Sequence, residues 1–396
     1  MKVLHVIPSM DHADGGPTEI VLGICRNLLK GEQVDVEIAT TVASGQTRGS
    51  AAAGAEAASA EVPVRTFPRT FSRAWKYSRP LGKWLRRHVA DYDVIHAHSV
   101  FTYATRAACR AAFQAGVPVV VTTHGMLAPF SRRHKFLRKF FYWHLIEKHN
   151  LARASSIHAS APIEQVELEQ LLPGRRVDCV ILGLDQVAWE HPKCEGAFRS
   201  RFGIPEDRLL LLYLSRIHSK KGLLDMLLPA LARLPAEVHL AVVGESDAGQ
   251  PEQERLIRAA TQRLGLNGRV TFAGPIYGHQ KWAAYDDSDV YVLPSLHENF
   301  GITVIEAMAR GVPCVVSPGV QSAQFVREAR AGLIVAREVK ALASELARLL
   351  AAPRSQREEM GRRGREFVQR ELTWAQTARR MAALYRDIVR SPGVGQ

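Results

Sequence analysis

Two carboxylates lie eight positions apart in the stretch LHENFGITVIE, residues 296–306, where Glu298 and Glu306 flank a glycine turn and an apolar run. The stretch follows an apolar segment typical of a buried strand and leads into a predicted helix. Gly301 permits the chain to turn, and the free N–H groups at the helix start favour a phosphate. Because carboxylates accept hydrogen bonds from sugar hydroxyls, the pattern predicts a site for a ligand that carries both groups.

A second set of groups suited to phosphate is basic. Arg216 and Lys221 follow a buried strand predicted at 209–215, in a short loop before a helix that begins near Gly222. Cations at the carboxyl end of such a strand are well placed to neutralise a diphosphate. Isolated surface cations are the commoner explanation of any single Arg or Lys, and Lys220 is assigned to solvent. The stretch that carries Arg216 and Lys221 and the stretch that carries Glu298 and Glu306 have the same order of strand, loop and helix. This recurrence favours a binding site over isolated surface cations.

A glycine turn follows the first predicted strand, 3–7. In GGPT, residues 15–18, Gly16 precedes a helix with Pro17 in its first turn. Glycine lets the backbone approach a ligand closely, and the helix start favours phosphate. The turn lacks the GxGxxG pattern, so it does not indicate a dinucleotide site, and an ordinary strand-to-helix turn explains it equally well.

The elements that must position these residues form two alternating series. Short apolar runs rich in Val and Ile predict strands covered on both faces, hence parallel sheets. The predicted strands are 3–7, 34–40, 62–67, 93–98, 118–123, 156–159 and 177–182, then 209–215, 238–244, 270–273, 290–294, 313–317 and 332–335; helices are predicted at 20–29, 252–264, 302–310 and 339–350. The pattern predicts an α/β fold with two doubly wound domains, whose ligands bind beyond the carboxyl ends of the strands, in a cleft between the domains.

Composition limits the remaining choices. The 396 residues are 46% apolar and contain no apolar run long enough to span a membrane. The opening segment is interpreted as a strand and not as a signal peptide. The five cysteines show no CxxC spacing, which indicates neither a disulfide framework nor a zinc site and favours a reducing cytoplasm. A Gly/Ala/Ser-rich piece, 44–60, predicts a mobile loop, and 186–205 predicts a linker.

The order of these motifs resembles glycosyltransferase family 4, the retaining GT-B enzymes. The matching blocks are GGPT, DVIHAHS (93–99), THGM (123–126), SRIHSKKG (215–222), VVGES (242–246) and ENFGITVIEAMARGVPCVVS (298–317). The resemblance covers nearly the whole chain. It implies two Rossmann-like domains facing each other across a cleft, residues 1–185 on the acceptor side and 186–373 binding the donor, with a C-terminal helix, 374–390, that returns to the first domain.

The resemblance also implies roles for single residues. Glu306 would bind the ribose hydroxyls of a nucleoside diphosphate sugar, and Glu298 would hold the donor sugar. The remaining roles are these: backbone groups of Asn299, Phe300 and Gly301 meet sugar hydroxyls, Arg216 and Lys221 stabilise the leaving diphosphate, Gly16 lies beside that diphosphate, and His124 lies near the donor sugar and the acceptor. The family reaction proceeds by same-face attack, so the two glutamates are not assigned as an acid/base pair.

The chain also departs from the family. Leu182-Gly183-Leu184-Asp185 replaces an Asn-Gly-Val-Asp element, which weakens inferences about the donor sugar from that region. The Asp-X-Asp triplets 91–93 and 287–289 match the metal signature of other glycosyltransferases, but each precedes a strand at the amino end of a sheet, so neither a metal nor another cofactor is expected. His96 and His98 alternate with apolar residues on a strand and are interpreted as structural.

The net charge of +13 is confined to two segments. Residues 65–90 contain eight Lys/Arg and no Asp/Glu, and 131–149 contain six against one. Their interleaved aromatic and basic residues, at 71–90 and 131–149, suit an anionic membrane surface or a lipid-phosphate acceptor. An apolar helix face packed on the sheet explains the periodicity equally well.

The sequence therefore predicts a cytoplasmic glycosyltransferase, peripheral on the inner membrane face, that acts on a glycan or lipid-linked saccharide in cell-surface polysaccharide biosynthesis. A GT-B-fold nucleotide-sugar epimerase is an alternative, and the SRIHSKKG and ENFGITVIE blocks favour the transferase. A basic nucleic-acid-binding protein is a further alternative, but the sequence has no recognisable nucleic-acid motif and no nucleic-acid partner is expected.

Overall fold

The structure is a computed structural model that describes residues 1–11, 16–43, 61–70, 75–128, 140–246 and 251–391. The chain divides into two compact units, one formed by Met1–Gly183 with Trp374–Gln396 and the other by Leu184–Thr373. The loop predicted at 44–60 lies outside the described residues.

The first unit contains a parallel sheet. Its described strands are β1 (Lys2–Ile7), β2 (Asp35–Val42), β3 (Val64–Pro68), β4 (Val94–His98), β5 (Val119–Thr122), β6 (Ser156–Ala159) and β7 (Val177–Cys179). They run in the order β3-β2-β1-β4-β5-β6-β7. The strand order reverses between β1 and β4, which pair from Val3 opposite Val94. In doubly wound sheets, ligands bind beyond the carboxyl ends of the strands at such a reversal.

Helices cover this sheet within the same unit. The described ones are Pro17–Gly31, Arg79–His88, Tyr103–Ala115, Lys148–Arg153, Pro162–Leu171 and Trp374–Arg390, with a 3-10 turn at Val89–Asp91 and a π-helix at Trp143–Glu147. Pro17 lies in the first turn of its helix, as predicted. Gly23 of that helix faces Trp374, and a Cβ atom there would lie 2.4 Å from the Trp374 ring. The glycine therefore lets the C-terminal helix dock closely.

The second unit repeats the topology. Its described strands are β8 (Leu209–Leu214), β9 (Val238–Val243), β10 (Val270–Gly274), β11 (Val290–Leu293), β12 (Cys314–Val316) and β13 (Gly332–Ile334), in the order β10-β9-β8-β11-β12-β13. The α-helices are Val187–Glu190, Ala197–Phe202, Leu228–Leu231, Pro251–Arg263, Gln280–Asp286, Ile302–Ala309, Ala323–Glu328, Val339–Ala351 and Arg354–Glu371. Here the strand order reverses between β8 and β11.

The predicted strands are confirmed to within a few residues at their ends. Every residue of β4, β5, β6, β9 and β11 is buried, as expected for strands covered on both faces. The prediction of two doubly wound α/β units from the continuous apolar runs is thus confirmed.

The linker predicted at 186–205 is wrong. The segment contains two short helices and is fixed to the second unit, because Asp287 accepts hydrogen bonds from the N–H groups of Gly196 at 2.5 Å and Arg199 at 2.9 Å. The helix predicted from Gly222 is also more irregular than expected, since a 3-10 turn, Ser219–Lys221, and a π-helix, Leu223–Leu227, precede its α-helical end.

Candidate functional site

The strand reversal of the second unit brings together the two loops that the sequence analysis identified. The loop after β8 carries Arg216 and Lys221, and the loop after β11 carries Glu298. The Leu296 N–H donates to the Lys220 carbonyl at 2.7 Å, so the two loops are joined by a backbone hydrogen bond. The carboxyl ends of adjacent parallel strands therefore place these cations and this carboxylate side by side.

Lys221 and Glu298 form an ion pair at this junction, and their side chains are only 7% and 17% exposed. Burial opposes ionisation of Glu298, but Lys221, Lys220 and Arg216 outweigh it and hold the pKa of the carboxyl below its usual value. Glu298 is therefore an anion at neutral pH, suited to accept hydrogen bonds and unsuited to donate a proton.

The turn after Glu298 requires a glycine. Gly301 has a φ of +76°, and a Cβ atom there would lie 2.8 Å from Ser322 Oγ. Phe300 is buried, with its ring centroid 6.2 Å from that of Phe325, which fixes the backbone on either side of it. The helix Ile302–Ala309 begins at this turn, where the Val304 N–H donates to the Gly301 carbonyl at 2.9 Å. The N–H groups that precede Val304 in the helix have no intrahelical acceptors and are positioned by the turn.

Glu306 lies on that helix and is buried. Lys281 Nζ lies 2.6 Å from its Oε1, and the Tyr285 hydroxyl donates to its Oε2 at 2.8 Å. Each carboxylate oxygen keeps a further lone pair for a ligand. Lys281 and Tyr285 are not among the residues predicted from the sequence, because they lie on a separate helix, Gln280–Asp286, and only tertiary contact brings them to Glu306.

His124 follows β5 in the first unit, with a φ of +48°. Its Nε2 lies 3.2 Å from His98 Nδ1, and burial, then His158, lowers its pKa to about 3. The loop is held by Glu164, which accepts hydrogen bonds from the Thr123 hydroxyl at 2.8 Å and the Gly125 N–H at 3.0 Å. Glu164 is a positioning residue that the sequence analysis missed, and His124 is neutral at physiological pH.

Gly16 is the N-cap of the helix Pro17–Gly31, with an ordinary φ of −55°. Among the described residues, no atom lies within 4 Å of the position that its Cβ would occupy. A larger residue would fit there in the described structure, so the protein itself does not require this glycine. Gly15, its neighbour in the motif, lies outside the described residues.

The two Asp-X-Asp triplets lie where they were predicted, at the amino ends of strands. Asp93 Oδ2 accepts a hydrogen bond from the Lys2 N–H at 2.7 Å, and Asp289 Oδ2 accepts one from the Leu210 N–H at 2.8 Å. Both carboxylates thus bind backbone at the edge opposite to the carboxyl ends of the strands.

Comparison with known families gives two matches. The model of the glycosyl transferases group 1 matches residues 195–367, and that of the glycosyl transferase 4-like domain matches residues 15–184. The chain is similar to a D-inositol 3-phosphate glycosyltransferase of Frankia alni, with 32% identity over 316 residues, 74% of each chain. It is 31% identical to the corresponding protein of Xylanimonas cellulosilytica over 240 residues, 57% of this chain and 55% of that protein, so the match spans about half of that relative.

Two solved structures share the architecture. HepE of Anabaena in complex with UDP has a TM-score of 0.79 at 21% identity, covering 98% of this chain and 100% of that one. Sucrose-phosphate synthase of Thermosynechococcus elongatus has a TM-score of 0.78 at 22% identity, covering 99% and 100%. At these identities the likeness shows the fold.

Proposed function

Because the chain belongs to the group 1 glycosyltransferases and has their GT-B fold, we propose that it moves a sugar from a nucleoside diphosphate sugar to an acceptor, with retention of configuration and without a metal ion. The acceptor class that we propose is a glycan or a lipid-linked saccharide, used in cell-surface polysaccharide biosynthesis. The observation that carries the proposal is the buried pair of Lys221 and Glu298 at the strand reversal.

This pair suggests how the donor is held. Without donor, Lys221 and Glu298 neutralise each other; a diphosphate would compete for Lys221, with Arg216 beside it, and release Glu298 to accept hydrogen bonds from the sugar. Glu306, oriented by Lys281 and Tyr285, would accept hydrogen bonds from the ribose hydroxyls.

The remaining groups complete the donor site. The backbone at Asn299, Phe300 and Gly301 would meet sugar hydroxyls, and Gly16 would let the chain approach the diphosphate. We place His124 beside the reacting sugar, as a neutral group.

The electrostatics favour stabilisation of the leaving group over acid/base catalysis. Negative charge develops on the departing diphosphate, and Arg216 and Lys221 supply the opposite charge that a divalent ion supplies in other glycosyltransferases. Glu298 has a lowered pKa and cannot serve as the general acid that a two-carboxylate hydrolase requires. Same-face attack by the acceptor is the mechanism that needs no such acid.

Thermal unfolding in the presence of UDP-, GDP- and ADP-sugars tests the donor class. We expect at least one sugar nucleotide to stabilise the wild-type chain by about 2.7 kcal/mol at a hundred times its Kd. Glu306→Gln should abolish most of this gain, because the amide both loses the anionic acceptors and leaves Lys281 unpaired. Glu345→Gln is the matched control and should respond like wild type, because the Glu345 side chain is 38% exposed and pairs with Arg348 on the surface of the same unit.

If no sugar nucleotide or free nucleotide stabilises the protein, the proposed function is wrong. If Glu306→Gln gains as much stability as wild type, the assignment of the ribose site to Glu306 is wrong.

We further propose that the first unit contacts an anionic membrane surface. In the described part of the chain no helix is both long and apolar enough to cross a membrane. The helix Arg79–His88 buries Leu81 and Leu85 in the core, and its exposed side chains are basic: Arg79, Lys83, Arg86 and Arg87. Phe140, Phe141 and Leu145 are 44%, 61% and 73% exposed and supply the apolar component. Residues 129–139 lie outside the described structure.

Flotation with anionic vesicles tests this surface. Binding should fall at least about a hundredfold when Lys83, Arg86 and Arg87 become Glu, since each basic residue contributes about 1 kcal/mol near an anionic surface and the three together contribute about 3 kcal/mol. The double change Phe141→Ser with Leu145→Ser should weaken binding independently of salt. Absent binding by wild type, or binding unaffected by both sets of changes, would refute the membrane proposal.

A further inference from the structure

Five histidines of the first unit form a connected cluster at the carboxyl half of its sheet. His5 lies on β1, His96 and His98 on β4, and His158 on β6, and all four are fully buried; His124 follows β5. His5 pairs with His96 across the sheet, so the rings share one face. The cluster has two hydrogen-bonded branches, and the tautomers follow from their partners.

The first branch ends on a backbone carbonyl, which can only accept. His158 therefore donates from Nε2 to the Val180 carbonyl at 2.9 Å, and because burial keeps the ring neutral, its Nδ1 accepts from the Thr122 hydroxyl at 2.8 Å. Thr122 Oγ1 in turn accepts from His96 Nε2 at 2.6 Å, and His96 Nδ1 accepts from the Tyr385 hydroxyl at 2.6 Å. Every tautomer in this branch is determined.

A metal ion is the other ligand that clustered imidazoles suggest, and His5, His96 and His98 have ligand atoms within 4.8 Å of one another. Both nitrogens of His96 are engaged by the first branch, however. The His96 and His98 rings are also stacked, with centroids 4.1 Å apart, so their in-plane lone pairs do not converge. The cluster is arranged for hydrogen bonding.

The second branch runs from His5 through His98 to His124. His5 Nδ1 lies 3.0 Å from His98 Nε2, and His98 Nδ1 lies 3.2 Å from His124 Nε2. A neutral His98 has one N–H, so it donates at one end and accepts at the other. Only two arrangements satisfy both bonds: all three rings protonated on Nδ1, or all three on Nε2.

His5 distinguishes the two arrangements. Its buried Nε2 has no hydrogen-bond partner among the described residues. Protonation on Nε2 would bury an N–H without an acceptor, whereas protonation on Nδ1 leaves only a lone pair unsatisfied, and orphaned N–H groups are the rarer of the two in proteins. The Nδ1 arrangement therefore gives His124 a bare Nε2 that accepts from His98 and an N–H on Nδ1.

We propose that His98 is a positioning residue that holds His124 in the Nδ1–H tautomer, so that His124 donates a hydrogen bond to a donor or acceptor oxygen and does not act as a base. The identity of the oxygen to which the His124 Nδ1–H donates rests on the proposed function, whereas the tautomer of His124 does not. His98 holds this tautomer by donating its own Nδ1–H to His124 Nε2. His5 determines the direction of the two hydrogen bonds, because its Nδ1–H donates to His98 Nε2.

The test is nitrogen NMR of the full-length chain labelled with ¹⁵N-histidine, with the His124 signals assigned from a His124→Gln sample. In wild type, His124 should show a protonated Nδ1 and an unprotonated Nε2. His98→Leu should leave a mixture of both tautomers, whereas His98→Asn, whose amide N–H replaces the Nδ1 donor, should restore the wild-type tautomer. Tyr385→Phe, which removes a donor only from the first branch, is the matched control and should leave His124 unchanged.

Turnover of the preferred sugar nucleotide provides the second readout. His98→Leu should lower kcat about tenfold with little change in KM, and His98→Asn should recover most of it. A wild-type His124 protonated on Nε2, or a tautomer unaffected by His98→Leu, would overturn the proposal. Absence of turnover would refute the proposed function. It would not decide the tautomer of His124, because the wild-type spectrum reports that tautomer without any variant or activity.

Discussion

Lys221→Met is expected to lower kcat for sugar transfer by about 10²–10³-fold, the loss typical of removing one preorganised group that stabilises developing negative charge. The buried ammonium lies beside Glu298 and, in the proposed site, meets the leaving diphosphate in the transition state. Methionine keeps most of the volume and removes only the charge. The measurement is steady-state release of nucleoside diphosphate.

The same variant should also be less stable. Removing Lys221 leaves Glu298 partly buried without its partner, and breaking a buried ion pair costs about 3–5 kcal/mol. The double change of Lys221→Met with Glu298→Gln removes both charges, so it should recover stability and remain inactive. Recovery of stability without recovery of activity would show that Lys221 has a catalytic role and not only a structural one.

Lys220→Ala is the matched control, since it removes a neighbouring positive charge and keeps the backbone carbonyl that joins the two loops. It should retain activity within a few-fold of wild type. Transfer by Lys221→Met at a rate close to wild type would show that the pair is structural only and that the diphosphate is stabilised elsewhere.

The second large effect is a steep loss of stability in acid. Burial lowers the pKa values of His5 and His124 to about 3, and burial also lowers those of His96, His98 and His158. Below the unfolded pKa of about 6.5 the unfolded chain binds protons that the folded chain excludes, so the free energy of unfolding falls as pH falls.

The size of the effect follows from the number of groups. Each histidine that stays neutral contributes about 1.4 kcal/mol per pH unit between about 6.5 and its folded pKa, so the five together give about 7 kcal/mol per unit. This is comparable with the whole stability of a typical domain, about 5–15 kcal/mol. The first unit should therefore unfold between about pH 4.5 and pH 6.

Denaturant unfolding at pH 8, 7, 6 and 5.5, followed by tryptophan fluorescence, measures this slope. His5→Phe should reduce it by about one proton, since His5 makes a single hydrogen bond and its loss removes one titrating group. A free energy of unfolding that stays constant from pH 7 to 5.5 would show that the cluster takes up protons while folded.

The sequence predicts the sheets well because a parallel strand that is buried on both faces has a continuous run of apolar residues. β9, VHLAVV, is buried at every residue and lies where its run predicts it. The C-terminal helix, Trp374–Arg390, has the range that the family resemblance implies, and it packs on the helix Pro17–Gly31.

Contacts between distant segments are less accessible to sequence reasoning. The residues that orient Glu306, Lys281 and Tyr285, occupy an ordinary amphipathic helix, and nothing local marks their function. The alternation of His96 and His98 with apolar residues predicts structural histidines, which suits His96; the link from His98 to His124 depends on the register of β4 against β5. The sequence of 186–205 predicts a linker because its helices are short and their anchors, Asp287 and Arg310, lie about a hundred residues away.

The measurement that tests the central claim most directly is proton NMR of a reaction with the sugar nucleotide that stabilises the protein most. In the absence of an acceptor, water takes the place of the acceptor and the sugar nucleotide is slowly hydrolysed. We predict release of nucleoside diphosphate together with a free sugar that first appears in the anomeric configuration of the donor, and no release by Lys221→Met. No nucleoside diphosphate from any stabilising donor would contradict the transferase, and a first product of inverted configuration would contradict the retaining mechanism.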